Sequence, residues 1–349
     1  MKKPLIILTG PTAVGKTKLS IKLAKAVNGE IISADSMQVY RHMNIGSAKI
    51  RPEEMEGVPH HLIDCLEPEE EFNVVRFQQM AQDAMNSIYE RNRIPIIVGG
   101  TGFYIQAITG DIDFTQHGED HQYRQELEAL SQTKGAEVLH QMLAQVDSES
   151  AKAIHSNNVK RVIRALEYYR QTGTPISEHN RQQREKMTPY RLAYFVLNDD
   201  RSHLYERIDA RIDEMLEDGL IAEVQKLKKR GCYKGMVSMQ GLGYKEILAY
   251  LDGTYSLEEA IYILKRDTRH FAKRQITWFK RERDVEWFHK PDFDYDEDRI
   301  LSAMLQSLGE KGIYPAFPET EETINTDRKE DVSHGYSDDE DDVSVYGNR

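Results

Sequence analysis

The chain has 349 residues, 39% of them hydrophobic and 30% charged, a globular balance with apolar material for one large domain and a smaller one. Its longest purely apolar stretch, Leu192 to Leu197, is six residues against about 20 needed to span a bilayer, and two distant cysteines, Cys65 and Cys232, exclude a disulfide framework and a Cys-rich zinc site. The net charge of −12 excludes less than its sign implies: residues 319–349 carry −8, whereas Lys152–Arg191 and Lys265–Arg283 each carry +6, and local basic surfaces decide polyanion binding. The opening Met1-Lys2-Lys3-Pro4 lacks the features of a signal peptide, so a cytoplasmic setting is expected.

Leu5 to Thr9 is a short apolar run ending at glycine and reads as a buried strand. Lys16 to Val27 places Leu19, Leu23 and Val27 at spacing four, a helix with one apolar face that Asn28-Gly29 stops. A second strand falls within Glu30–Ser33, a helix over Phe72–Arg91, and a third strand over Ile94–Val98 before Gly99-Gly100-Thr101-Gly102. That alternation predicts a parallel sheet covered by helices, of P-loop NTPase-like α/β class. From Asp111 to about Met187 no comparable strand occurs and the composition favours helix, which predicts a mostly helical domain inserted at 113–190. Strand signal returns at Arg191–Leu197, helices follow over Ser202–Arg230, and Ser256-Leu-Glu-Glu259 forms a capping box opening a long helix toward Arg283. Val285–Phe288 reads as a last edge strand. The catalytic core is then 1–112 with 191–318, and the acidic tail 319–349 is expected to be disordered.

Gly10-Pro11-Thr12-Ala13-Val14-Gly15-Lys16-Thr17 matches G-x-x-x-x-G-K-[ST] between a strand and a helix. Glycines let backbone N–H groups curl around phosphate oxygens at a positive helix end; Lys16 neutralises the terminal phosphates, and the Thr17 hydroxyl is the expected ligand of a magnesium ion. The loop does not name the reaction. Phosphoryl transfer from bound ATP, as in a small-molecule kinase, is the default alternative. No Asn-Lys-x-Asp motif supports a GTPase, and Ile94–Val98 runs into Gly-Gly-Thr instead of Asp-Glu, against a motor ATPase. The second strand ends at Ser33-Ala34-Asp35-Ser36-Met37-Gln38, on the side of a parallel sheet that faces ligand. Asp35 there either caps a turn or serves as base or magnesium partner, with Ser36 and Gln38 available to a nucleobase edge. His60-His61 lack partners at metal spacing and read as structural.

Several blocks in order resemble the tRNA dimethylallyltransferases (tRNA isopentenyltransferases). They are residues 10–17, Ile31–Tyr40, Met43–Lys49, Pro59–Asp64, Ile97–Tyr104, Lys160–Glu167, Gln240–Glu246 and Thr268–Phe279, so that the resemblance covers about residues 4–290. It implies transfer of a dimethylallyl group from dimethylallyl diphosphate to the exocyclic amine of the adenine just 3′ of a tRNA anticodon. Diphosphate would lie on the loop with Mg²⁺, and Asp35 would act as base. Thr101 resembles the residue lining the reaction channel, and Arg211 the arginine contacting diphosphate, with Arg207 the other candidate. For tRNA the resemblance implies contacts from Asp35, Ser36, Met37 and Gln38, from Lys160, Arg161, Val162, Ile163 and Arg164, and from Gln240, Gly243 and Tyr244. Arg269, Lys273 and Lys280 lie roughly on one face of the long helix and are further candidates. The partners expected are the anticodon stem-loop of tRNA and dimethylallyl diphosphate, bound by a monomer with no membrane contact.

Overall fold

The computed structural model describes residues 2–112 and 121–314. Six parallel strands form one sheet: β1 (Lys3–Thr9), β2 (Gly29–Ser33), β3 (His60–His61), β4 (Ile94–Gly99), β5 (Tyr190–Asn198) and β6 (Val285–His289), in the order β3-β2-β4-β1-β5-β6. β1 is central because it is apolar on both faces: Leu5, Ile6, Ile7 and Leu8 are all fully buried. Its register sets Thr9 beside Gly99 on one side and Val196 on the other, so β1 and β4 end level while β5 runs on to Asn198.

Helices α1 (Lys16–Val27), α2 (Val74–Glu90) and α3 (Gly102–Thr109) follow the first strands. α1 begins and ends where its periodicity predicts, and Asn28 closes it in the left-handed region at φ 52°. Five helices come next: α4 (His121–Lys134), α5 (Ala136–Val146), α6 (Ser148–Ala153), α7 (Val159–Thr172) and α8 (Ile176–Glu185). They bury a core of their own, around Leu127, Leu139, Leu143, Val162, Ile163 and Leu166, which contains no residue of the sheet. Sheet pairing resumes at Tyr190, the last residue of the expected insert.

Beyond the sheet strand β5 come α9 (Arg201–Glu217), α10 (Leu220–Lys229), α11 (Tyr244–Leu251), α12 (Leu257–Phe279) and, after β6, α13 (Glu297–Glu310). The capping box of α12 forms as read: Ser256 Oγ accepts from the Glu259 N–H at 3.2 Å, and Glu259 Oε2 accepts from the Ser256 N–H at 2.8 Å. β6 is an edge strand, as expected. The two-residue β3 at the other edge carries no periodic signal and forms only through pairing with Ile31 and Ile32. His61 there meets the buried Glu30 carboxylate at 2.7 Å, and His60 Nδ1 lies 2.8 Å from Val58 O. The acidic tail expected to be disordered, 319–349, lies outside the described residues.

Candidate active site

Three loops meet at the carboxyl ends of β1, β2 and β4. In the first, Gly10 has φ 145° and a Cβ there would stand 2.3 Å from Leu197 O of β5, so only glycine lets the chain turn out of the sheet. The loop then enters α1, whose N-terminus leaves amides open to an anion. Lys16 folds back, its Nζ donating to Gly10 O at 2.9 Å and Pro11 O at 2.8 Å. Burial and the Arg211 guanidinium pull its pKa down to about 7, with Asp35 pulling the other way. Gln275 of α12 stitches this loop to the third: its Oε1 accepts from the Thr12 N–H and its Nε2 donates to Gly100 O, both at 2.9 Å.

The second loop carries Asp35. Its Oδ1 accepts from the N–H of Met37 at 2.8 Å and of Gln38 at 3.3 Å, so the capping reading of this residue holds. Among the described residues Oδ2 has no hydrogen-bond partner, and the carboxylate's field reaches both Lys16 and Arg211. One side chain thus shapes the turn with one oxygen and leaves the other unengaged among the described residues. The third loop is tied to the second by Ala34 N–H to Val98 O at 2.8 Å and Thr101 N–H to Ala34 O at 3.3 Å. Thr101 is half-buried at the start of α3, on the loop that adjoins Asp35.

The two candidate arginines, both on α9, take different places. Arg207 Nε donates to Ala13 O at 2.9 Å, on the glycine loop itself. Arg211 is half-buried, its pKa lowered by desolvation and by Arg207 while Asp35 and Glu214 oppose the shift. It therefore stands in the electrostatic company of Lys16 and Asp35.

The remaining candidates divide by burial. Lys160, Arg161 and Arg164 are exposed on α7, but Val162 and Ile163 are buried in the helical core, where their side chains are out of reach of RNA. Gln38 has its amide committed: Oε1 accepts from Ser33 Oγ at 3.1 Å, and Nε2 donates to Ser47 O and Ala48 O at 3.4 Å. Ser36 and Met37 are half-buried, and Met37 packs beside Gly241. Gln240 is exposed and donates to Lys234 O. Gly243 is buried and its N–H donates to Glu246 at 2.9 Å. Tyr244 is fully buried, its hydroxyl donating to Glu223 Oε1 at 2.7 Å. Arg269 is engaged with both oxygens of Asp209, whereas Lys273 and Lys280 are exposed.

Glu223 was not singled out by its sequence context. Its carboxylate accepts from the N–H groups of Asn44, Ile45 and Gly46 and from the Tyr244 hydroxyl. A Cβ at Gly46 would stand 2.7 Å from the Tyr244 ring, so Met43–Lys49 and Gln240–Glu246 are two halves of one packed joint beside Asp35's loop. Glu223→Gln is expected to cost about 2 kcal/mol, since a charged acceptor of several N–H groups is lost. It should also raise hydrogen exchange at residues 44–46 selectively; unchanged protection there would refute the anchor. Lys290 is a second residue that local sequence did not mark: its buried Nζ lies 3.4 Å from Val14 O.

A model of the IPP transferase family matches residues 38–282. A tRNA dimethylallyltransferase of Lachnoclostridium phytofermentans is 63% identical over 311 residues, covering 89% of this chain and 99% of that protein. The chain belongs to the IPP transferase family. An IPP transferase relative from Carboxydothermus hydrogenoformans, also a tRNA dimethylallyltransferase, is 54% identical over 82% of this chain and 92% of its own length. The solved tRNA isopentenylpyrophosphate transferase of Bacillus halodurans is 47% identical with a TM-score of 0.67, covering 89% of this chain and 98% of that one. A eukaryotic dimethylallyltransferase solved acting on tRNA is 30% identical with a TM-score of 0.78, covering 91% and 81%. As an IPP transferase the chain is a tRNA-modifying prenyltransferase, and the kinase alternative is not favoured.

Proposed function

We propose that the chain transfers the dimethylallyl group of dimethylallyl diphosphate to the exocyclic amine of the adenine 3′-adjacent to a tRNA anticodon, releasing diphosphate. The observation that carries this reading is the convergence of an amide loop, two half-buried cations and a half-free carboxylate at one end of the sheet. Diphosphate fits the amides of 10–17 with Lys16 and Arg211 as counter-charges. The adenine amine attacks the allylic carbon as the carbon–oxygen bond to diphosphate breaks, and Asp35 Oδ2 takes the amine proton. Thr101, on the loop next to Asp35, lines the approach. Since an adenine stacked in an anticodon loop is unreachable, it must be turned out toward Asp35.

Magnesium suits the donor set only in part. Thr17 lines a small cavity with Ser33 and Gln38, while among the described residues no group of three or more His, Cys, Asp or Glu is placed to hold a metal. Mg²⁺ keeps waters and binds through few protein oxygens plus phosphates, so Thr17 with the diphosphate is the pairing that fits. When bound, the ion would neutralise charge on the leaving diphosphate.

RNA would be held by helices α4–α8 through Lys160, Arg161 and Arg164, with Gln240 and Lys273 as further exposed contacts. Replacing the three α7 cations with glutamine should reduce the slope of log affinity against log salt by about 2, at roughly 0.7 per phosphate on single-stranded loops. An unaltered slope would place the RNA elsewhere. Among the described residues no helix is long and apolar enough to cross a membrane. A monomer acting in the cytoplasm completes the reading. The deciding assay incubates the protein with Mg²⁺, dimethylallyl diphosphate and unmodified tRNA and looks for prenylated adenine by mass spectrometry. Absence of product, with ATP-dependent phosphorylation of a metabolite instead, would reverse the assignment.

A further inference from the structure

We infer that Lys290, working with Arg207, is a positioning residue that sets the direction of the glycine loop's amides from the loop's outer side. The inference rests on reading that loop as a diphosphate site. Lys290 opens the short turn after β6, 276 positions from Val14, and only 6% of it is exposed. Its ammonium donates to Val14 O at 3.4 Å and lies 3.3 Å from where a Cβ on Gly15 would stand. Arg207 Nε donates to the preceding carbonyl, Ala13 O, at 2.9 Å, with Nη2 3.7 Å from the same point at Gly15.

A trans peptide points its C=O and the following N–H in opposite directions. Holding Ala13 C=O on Arg207 therefore aims the Val14 N–H away from Arg207. Holding Val14 C=O on Lys290 aims the Gly15 N–H away from Lys290. Earlier in the loop the same rule runs in the opposite sense. Pro11 C=O faces Lys16 at 2.8 Å, and the Thr12 N–H is turned to Gln275 at 2.9 Å. Four side chains, Lys16 from the loop's own end and Arg207, Gln275 and Lys290 from distant parts of the chain, thus choose the orientation of the Pro11–Thr12, Ala13–Val14 and Val14–Gly15 peptide planes in a segment that no regular hydrogen-bond ladder constrains.

Burying Lys290 beside Arg207 is unfavourable in itself. Burial first, then the Arg207 charge, lowers the Lys290 pKa, with Asp199 and Glu297 offsetting part of this. The Tyr295 ring lies 5.9 Å from the ammonium, near the limit of a useful cation–π contact. A buried cation with so little compensation is accounted for by what it orients: amides aimed in advance at an anion need no reorganisation when the anion arrives.

The test uses the full chain, with inorganic pyrophosphate and Mg²⁺ as the probe in calorimetric titration, and Lys290→Met and Lys290→Arg as the variants. Lys290→Met should weaken pyrophosphate binding about tenfold or more, as loss of a charged donor does. tRNA affinity and Tm should stay near the parent's. Lys290→Arg, which keeps a cationic donor, should recover most of the affinity. Pyrophosphate affinity within twofold of the parent in Lys290→Met would overturn the inference. So would equal losses in both variants, or parallel losses of pyrophosphate binding, tRNA binding and Tm, because packing alone would then explain the residue. If the parent protein itself binds no pyrophosphate, the diphosphate reading fails and the inference goes with it.

Discussion

Replacing Asp35 with asparagine is expected to lower kcat by roughly 10²–10⁴-fold, the usual contribution of a positioned general base. Asparagine is the informative substitution because Oδ1 has a structural duty. It accepts from Met37 N–H at 2.8 Å and Gln38 N–H at 3.3 Å, and an amide oxygen can keep both bonds. The turn then survives while the proton acceptor is lost. Affinity for tRNA should remain within about threefold, since the turn that presents Ser36 and Met37 is preserved. Asp35→Ala removes both duties and should lose turnover together with some order in the loop. Single-turnover prenylation with saturating donor and tRNA separates the cases. Near-normal turnover in Asp35→Asn would mean that another group accepts the proton.

Diphosphate affinity should fall as pH rises above about 7, because Lys16 in the free protein gives up its proton near there. The sign follows from which form binds: the ammonium attracts phosphate, the neutral amine does not. Below pH 7 the side chain is already charged and affinity is level. Above pH 7 binding must take up a proton, so affinity drops by up to about tenfold per pH unit until the higher pKa of the complex is reached. Lys16→Met should bind weakly at every pH and lose the slope, which separates lysine titration from the ligand's own ionisation. Pyrophosphate titrations between pH 6 and 9 on both proteins decide it. A parent protein with flat affinity across that range would remove Lys16 from the binding step. The cause lies in burial and in Arg211 beside it, so Arg211→Gln should move the break in the curve to higher pH.

Much of this arrangement was legible in local sequence, for identifiable reasons. The apolar run Leu5–Leu8 needs burial on both faces, which a central parallel strand supplies. The Leu19, Leu23, Val27 stripe and Asn28-Gly29 define α1 from within, since one face and one left-handed stop suffice. Asp35 follows a strand, and the carboxyl end of a parallel strand faces the ligand whatever the rest of the chain does. Residue blocks gave less guidance on burial. Val162 and Ile163 lie inside the run Lys160–Arg164, yet a helix turns 100° per residue, so their neighbours face water while they face Leu139 and Leu166. Tyr244 and Gln38 carry polar groups that a nucleobase could use, but Glu223, Ser33 and the 43–49 loop have already engaged them.

By itself, the sequence determined the glycine loop, the strand–helix alternation, the run of helices between β4 and β5 and the family, because turn chemistry and hydrophobic period act over a few residues. Only the tertiary structure decided that Arg207 and Lys290 reach the loop's carbonyls, that Gln275 bridges two strand ends, and that Arg211 sits with Lys16 and Asp35. Those contacts join residues up to 276 positions apart. They exist because β5 takes its place beside β1 in the sheet and β6 beside β5, an ordering set by which apolar faces can be buried together and by no feature of the residues that end up touching.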